Sequence, residues 1–401
     1  MTAKRPPSVL DDPDLRAAAA RISSPIEDPE SLAARLAWSV LSEPGEATAG
    51  ALISECGPAA ALRVAEDVVA GLPVPEIPGV PARDLVDMSK RWQPRLHPPA
   101  IADVAHAAAR SALTLLAPEG AGWPTRVDDL GVHRPLALWV RGDATALSST
   151  ERSAALVGAR AATPYGEHVA GALAADLVHG GVAIVSGGAY GVDGAAHRAA
   201  LGAGGTTVAF VAGGADRVYP AAHANLFQRI ADQGAVVSEV APGGPPTKWR
   251  FLQRNRLIAA AAAATVVVEA GWRSGSLNTA GHAAALGRPL GAVPGPVTSS
   301  TSEGCHRLLR EFDATCVTCA ADVLELIGDW DAGDDRRGED RPHPDAIRVR
   351  DALGVRAWRT LEDVARRSGL SLGEVQAQLG LLALEGRAEA SVEGWRLARD
   401  G

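Results

Sequence analysis

The chain has 401 residues, 47% of them hydrophobic but only 4% aromatic, and a formal net charge of −8. That length exceeds one ordinary domain, and few aromatics beside abundant Ala and Gly predict helices packed closely on a sheet by small side chains. An acidic molecule repels nucleic acid and acidic membranes as a whole, so any anion site must be a local basic patch.

The opening segment, MTAKRPPSVLDDPDLR, lacks the apolar core of a secretory signal, and residues 1–30 read as a flexible tail. The longest strongly apolar run, LIAAAAAATVVV at 257–268, lies between Arg256 and Glu269. It falls short of the roughly 20 residues that cross a bilayer, so a cytoplasmic protein without a membrane partner is expected. Residues 31–112 carry helical periodicity without strand signals: Ser31 is placed to cap, and Leu32, Leu36, Val40 and Leu41 share a face. A small helical module is expected there.

From 113 to 328, short β-branched runs alternate with helical stretches, the pattern of a doubly wound parallel α/β sheet. The expected strands are AALVGA, VAIVS, TVAFVA, AVVSEV, TVVVEA and LGAVP, and ligands of such sheets bind at the carboxyl ends near the topological switch point. Residues 329–345 are charged and turn-rich and read as a linker, and 346–401 form a last small unit. Four cysteines do not make a disulfide framework. Cys316 and Cys319 form CVTC, but the second pair of a zinc finger is missing, so half-buried core thiols are preferred to a metal or redox site.

The chemistry gathers at three strand ends. After the first strand, Gly158 allows a turn, Arg160 follows, and Thr163 with Pro164 starts a helix. A guanidinium beside a helix N-terminus cradles phosphate; the alternative is an Arg160 tied to a carboxylate at the sheet edge. After the next strand comes VSGGAYGVDGAAH, with Ser186, Gly187, Gly188, Tyr190 and Gly191, where glycines would let anionic oxygens approach backbone amides. The spacing GGxxGxxG is not a dinucleotide fingerprint, and no G-K-[ST] occurs, which disfavours P-loop hydrolysis. Asp193 and His197, four apart, could pair for acid-base work or could simply fix the helix start and the loop.

The third segment, PTKWRFLQRNRLIA, sets Lys248, Arg250, Arg254 and Arg256 among Trp249 and Phe251, beside Asn255. No acidic residue lies between Glu239 and Glu269. Cations with interleaved aromatics suit a phosphodiester chain with unstacked bases; a solvated charged helix face is the alternative. Ser274, Gly275, Ser276 and Thr279 then add donors ahead of another helix.

Taken in order, VGAR with TPYG, VSGGAYGVDGAAH, FLQRNRLIA, VVVEAGWRSGSLNTA and GRPLGAVPGPVTSSTSEGCHRLL resemble the DNA-processing protein A family, also called DprA or Smf, over about 115–328. The resemblance implies an extended Rossmann-like sheet between an N-terminal SAM-like helical module and a C-terminal winged helix. It implies no enzyme and no cofactor, but a mediator of recombination that binds single-stranded DNA, dimerises through the Rossmann domain and loads RecA during natural transformation. By the same resemblance, DNA contacts fall on Arg160, the Ser186 to Gly191 loop, Phe251, Arg254 and Arg256. Two departures stand out: Tyr190 replaces a residue often Lys or Arg, exchanging a phosphate contact for base stacking, and Asp313 replaces a glycine.

The terminal unit reads helix, turn, helix and wing, ordinarily a DNA reader. Its second helix, 371–386, contains no Lys or Arg, and its charged residues are Glu374 and Glu385. That favours protein contact or dimer support, with Arg366 and Arg367 leaving DNA contact open. The competing function is a nucleotide hydrolase or phosphoribosyl-type enzyme using Asp193, Glu239 or Glu269 as acid or base, although PGGPPT lacks the PGGxGT signature such an enzyme would carry.

Overall fold

The computed structural model describes residues 7–23, 28–328, 344–384 and 386–398. They divide into two compact units, the first ending at Asp329 and the second beginning at Trp330.

Helix building in the first unit starts earlier than the sequence pattern suggests. Pro13–Ile22, expected within a flexible tail, is a helix: Asp12 accepts from the amides of Asp14 and Leu15, Pro13 occupies the first turn, and Leu15, Ala18, Ala19 and Ile22 are buried. Alanine supplies half of that buried face, Ala18 and Ala19, so the segment carries little apolar signal. Five further helices follow, at Pro29–Leu41, Ala47–Cys56, Pro58–Val69, Ala82–Trp92 and Pro98–Arg110. Trp38 and Trp92 meet edge to face at 5.3 Å in their midst. The expected boundary near 112 does not separate two cores, because one apolar cluster runs from Leu10 and Trp38 to Trp139, Phe227 and Val236.

The sheet has nine strands. β2 (Leu138–Gly142) lies antiparallel between β1 (Leu113–Leu116) and the strand Ala235–Ser238. The parallel part comprises β3 (Ser153–Val157), β4 (Ala183–Ser186), β5 (Thr207–Phe210), β6 (Ala235–Ser238), β7 (Ala264–Val267), β8 (Leu290–Ala292) and β9 (Thr315–Cys316), in the order β1-β2-β6-β5-β4-β3-β7-β8-β9. β3 to β8 are the six strands read from the sequence; every residue in them is buried, because helices cover both faces. From β3 the chain winds outward through β4, β5 and β6, then returns to β7 on the other side of β3. The switch point is therefore between β3 and β7.

Two local expectations change at the far edge. Cys316 and Cys319 are exposed on and just beyond β9, rather than half-buried in the core, and no group of three or more candidate metal ligands occurs among the described residues. Asp313 has φ 52, the left-handed backbone that a glycine adopts without strain.

The second unit packs helices Pro344–Ala352, Leu361–Ser368 and Leu372–Leu384 around Val349, Val364, Val375 and Leu379, with the antiparallel hairpin β10 (Ala388–Ser391) and β11 (Gly394–Leu397) as wing. Pro344 and Asp345, placed in the linker by the sequence reading, begin the first of these helices; the rest of that linker, and Glu385, lie outside the described residues. Arg366 and Arg367 both turn to Asp363, the latter at 3.0 Å, and the helix Leu372–Leu384 exposes Leu372, Leu381 and Leu384. No helix among the described residues is long and apolar enough to cross a membrane.

Candidate nucleic-acid interface

A cavity of about 840 Å³ opens at the carboxyl ends of the strands around the β3/β7 switch. Five segments distant in sequence build it.

The loop after β3 is fastened by Glu269, just beyond β7. The Glu269 carbonyl accepts from the Ala159 amide at 2.7 Å, and its buried carboxylate accepts from the Thr163 amide at 2.8 Å and hydroxyl at 2.9 Å. Gly158 is required there, since a Cβ would lie 2.5 Å from Val192 and 2.9 Å from the Glu269 carbonyl oxygen. Thr163 caps the helix Pro164–His179 as its sequence suggests. Arg160 is left exposed at the cavity, with its guanidinium carbon 4.7 Å from the Phe251 ring centre and no ion pair among the described residues. The carboxylate-bound alternative for Arg160 is not what the chain adopts.

The helix Lys248–Ala261 forms the second wall. Thr247 caps it, and Lys248, Phe251, Leu252, Arg254, Asn255 and Ile258 lie at helical spacing on the face turned to the cavity. Arg250 and Arg256 are on other faces, which corrects the picture of four cations presented together. Arg250 makes a two-pronged contact with Glu43, both bonds 3.0 Å, and buried Arg256 meets Glu239 at 2.7 Å. Glu239 also accepts from the Gly45 amide at 3.1 Å. Burial pushes the Glu43 carboxyl up, but hydrogen bonds from Arg250 and Arg95 outweigh it and hold the pKa below the usual value.

Arg254 is buried although it reaches the cavity. Its Nη1 donates to the carbonyls of Gly187 at 2.7 Å and Phe210 at 2.6 Å, joining the ends of β4 and β5. Burial lowers its pKa to about 10, so it stays cationic at neutral pH, with Asp193 supporting the charge.

The glycine loop has a different use from the one expected. Ser186 is buried and donates to the Leu156 carbonyl at 2.6 Å. A Cβ on Gly187 would fall 2.1 Å from Arg254 Nη1, one on Gly188 2.5 Å from the Phe227 ring, and one on Gly191 2.3 Å from the Ala159 carbonyl oxygen. These glycines make room for protein, and neither they nor Tyr190 line the cavity. Asp193 and His197 do not pair. Asp193 accepts from the Ala189 amide at 3.3 Å, and burial raises its pKa against the pull of Arg254. His197 Nδ1 donates to the Thr207 hydroxyl at 2.7 Å, and burial drops its pKa to about 3, so it is a neutral core histidine. Asp193 thus ties the loop to the first turn of its helix, close to the plainer of the two sequence readings, whereas His197 is fixed to Thr207 of β5 and not to the loop.

The loop after β7 closes the site. Ser274 and Ser276 hydroxyls are 2.8 Å apart at the start of the helix Ser276–Ala285, whose preceding residue is Gly275, and Asn255 Nδ2 donates to the Gly275 carbonyl at 3.4 Å. Trp272 and Arg273 stand exposed at the mouth. Tyr219, from the loop beyond β5, also lines the cavity and contacts the Phe251 ring at 5.6 Å. The sequence reading did not select Tyr219, Trp272 or Arg273. Trp272 lies five residues beyond β7, in the same strand-end loop as Ser274, a position that marks it; Tyr219 lies nine residues beyond β5, where pattern says nothing about direction. Of the carboxylates, only Asp193 lines the cavity among the described residues; Glu239 and Glu269 do not.

Residues 114–328 match the family model described as DNA recombination-mediator protein A. The chain belongs to that family. The DNA recombination-mediator protein A match is joined by a second, to the DprA winged helix domain, over 335–394. This member is 50% identical to a putative DNA processing protein DprA of Mycobacterium tuberculosis over 281 residues, 67% of this chain and 70% of the relative. Protein Smf of Escherichia coli is 37% identical over 279 residues, 66% of this chain and 72% of Smf. The crystal structure of DNA processing protein A from Streptococcus pneumoniae superposes with a TM-score of 0.60 at 26% identity, covering 75% of this chain and 98% of that one.

Proposed function

We propose that this recombination-mediator family member binds single-stranded DNA in the cavity at the β3/β7 switch. The observation that carries the reading is Arg160, exposed, without a carboxylate partner among the described residues, and stacked on Phe251 at 4.7 Å. Arg160, Lys248 and Arg254, with the Ser274 and Ser276 hydroxyls at the start of the helix Ser276–Ala285, would take the phosphates. Phe251, Tyr219 and Trp272 offer flat apolar faces for unstacked bases, which a duplex does not present. In this reading the protein works in the cytoplasm as a homodimer and delivers the bound strand to RecA. It needs no cofactor and performs no covalent chemistry: Glu239 and Glu269 are engaged in holding Arg256 and Thr163, which disfavours them as acid or base catalysts.

Titration of the intact protein with fluorescent oligo-dT tests the reading. Arg160→Ala and Phe251→Ala are each expected to weaken binding severalfold, Arg160→Ala with a salt slope shallower by about one phosphate. Wild-type affinity in both variants would contradict it. RecA filament formation on single strands, with and without the protein, tests the delivery step.

A further inference from the structure

Outside the cavity, a second cluster stands on the same edge of the sheet. Tyr190 is 47% exposed, and its ring meets His223 edge to face at 4.9 Å. His223 is fixed from behind, its Nδ1 donating to the Gly188 carbonyl at 3.0 Å. Arg198 joins them: a Cβ placed on Gly194 would lie 2.7 Å from His223 Cε1 and 3.1 Å from Arg198 Nη1, so this glycine leaves open the spot where ring and guanidinium converge. Arg198 is exposed and makes no ion pair among the described residues. The residues 219–223 connect this cluster to the cavity, since Tyr219 lies on Phe251 at one end while His223 holds Tyr190 at the other. Arg217, two residues before Tyr219, is likewise exposed and unpaired among the described residues, whereas neighbouring Asp216 is occupied by the Gly243 amide at 3.0 Å.

We propose that Tyr190, His223 and Arg198 form a second contact station for the strand, taking a nucleotide that has left the cavity, with its base on the Tyr190 ring and its phosphate on Arg198. This rests on the single-stranded DNA reading of the cavity. An aromatic face beside a free cation is the pairing that binds nucleotides without regard to sequence. Tyr190 thus acts outside the cavity rather than as its wall, and the site is longer than the cavity alone.

Binding of the full chain to an oligo-dT length series decides it, with Arg160→Ala, Tyr190→Leu and Arg198→Ala compared with wild type. On the shortest oligonucleotide that wild type binds, Tyr190→Leu and Arg198→Ala should match wild type. On longer ones both should bind severalfold more weakly, with the Arg198→Ala salt slope shallower by about one. Arg160→Ala should lose affinity at every length. If Tyr190→Leu and Arg198→Ala match wild type at all lengths while Arg160→Ala loses binding, the second station is overturned and the cavity stands. A loss in the two variants at the shortest length also overturns it, because they would then belong to the cavity. Wild-type binding by Arg160→Ala at all lengths would instead refute the cavity reading.

Discussion

Arg254 lines the cavity while two backbone carbonyls claim its Nη1, and Gly187 exists to let it do so. Gly187→Ala would place a methyl 2.1 Å from that nitrogen, and the guanidinium has to move. The expected result is a loss of about 1–3 kcal/mol in stability together with weaker oligo-dT binding, read by thermal melting and titration. By contrast, Arg160→Ala should melt like wild type, because Arg160 is exposed. The sequence marks both arginines alike, since the carbonyls that hold Arg254 come from strands 44 and 67 residues away. Glu46 gives a separate prediction. Burial raises its pKa from 4.5 to about 7, opposed by the hydrogen bond from Trp92. The native state therefore holds this proton more tightly than the unfolded one, and the associated stability, full below pH 4.5, is lost as pH rises through about 7. Glu46→Gln keeps an acceptor for Trp92 and should gain on wild type by about 1–3 kcal/mol between about pH 5 and pH 8, a widening gap in melting temperature. A constant gap over that range would contradict the assignment.

At the scale of elements, the helix Lys248–Ala261 is positioned from behind by the segment 43–46. Glu43 holds Arg250 and Arg95, and the Gly45 amide and Arg256 share Glu239. Glu43→Ala leaves Arg250 without its carboxylate and should cost about 1–2 kcal/mol in denaturant unfolding. Because Arg250 is absent from the cavity lining, oligo-dT affinity of that variant should stay within about twofold of wild type; a larger drop would show the brace to be part of binding. The same helix shows what pattern can and cannot reveal. Its cavity face follows from 3.6-residue spacing, but the partners of Arg250 and Arg256 lie in other segments. Strands β3 to β8 are legible because burial on both faces makes them continuous apolar runs. β1, β2 and β9 are not: β1 and β9 are the two edges, β9 has only two residues, and polar or exposed residues such as Thr114, Arg141 and Thr315 interrupt the apolar pattern of all three. The helix Pro13–Ile22 is hidden by its alanines.

Across the whole molecule, a formal charge of −8 coexists with a cavity where Arg160, Lys248, Arg254 and Arg273 face one lining carboxylate, Asp193. In the proposed reading attraction to DNA is therefore local, and the ordered motifs that carried the family resemblance fall largely at the strand ends that build this region. The distribution also predicts selectivity, because phosphates of a duplex meet the acidic remainder of the surface while their bases stay stacked away from Phe251, Tyr219 and Trp272. The most direct measurement is a titration of the intact protein with single-stranded and duplex oligonucleotides of equal length across a salt series. The account predicts clear preference for the single strand, with affinity falling as salt rises and with that preference reduced by Arg160→Ala. Equal affinity for both forms, or single-strand binding indifferent to salt and to Arg160→Ala, would contradict it.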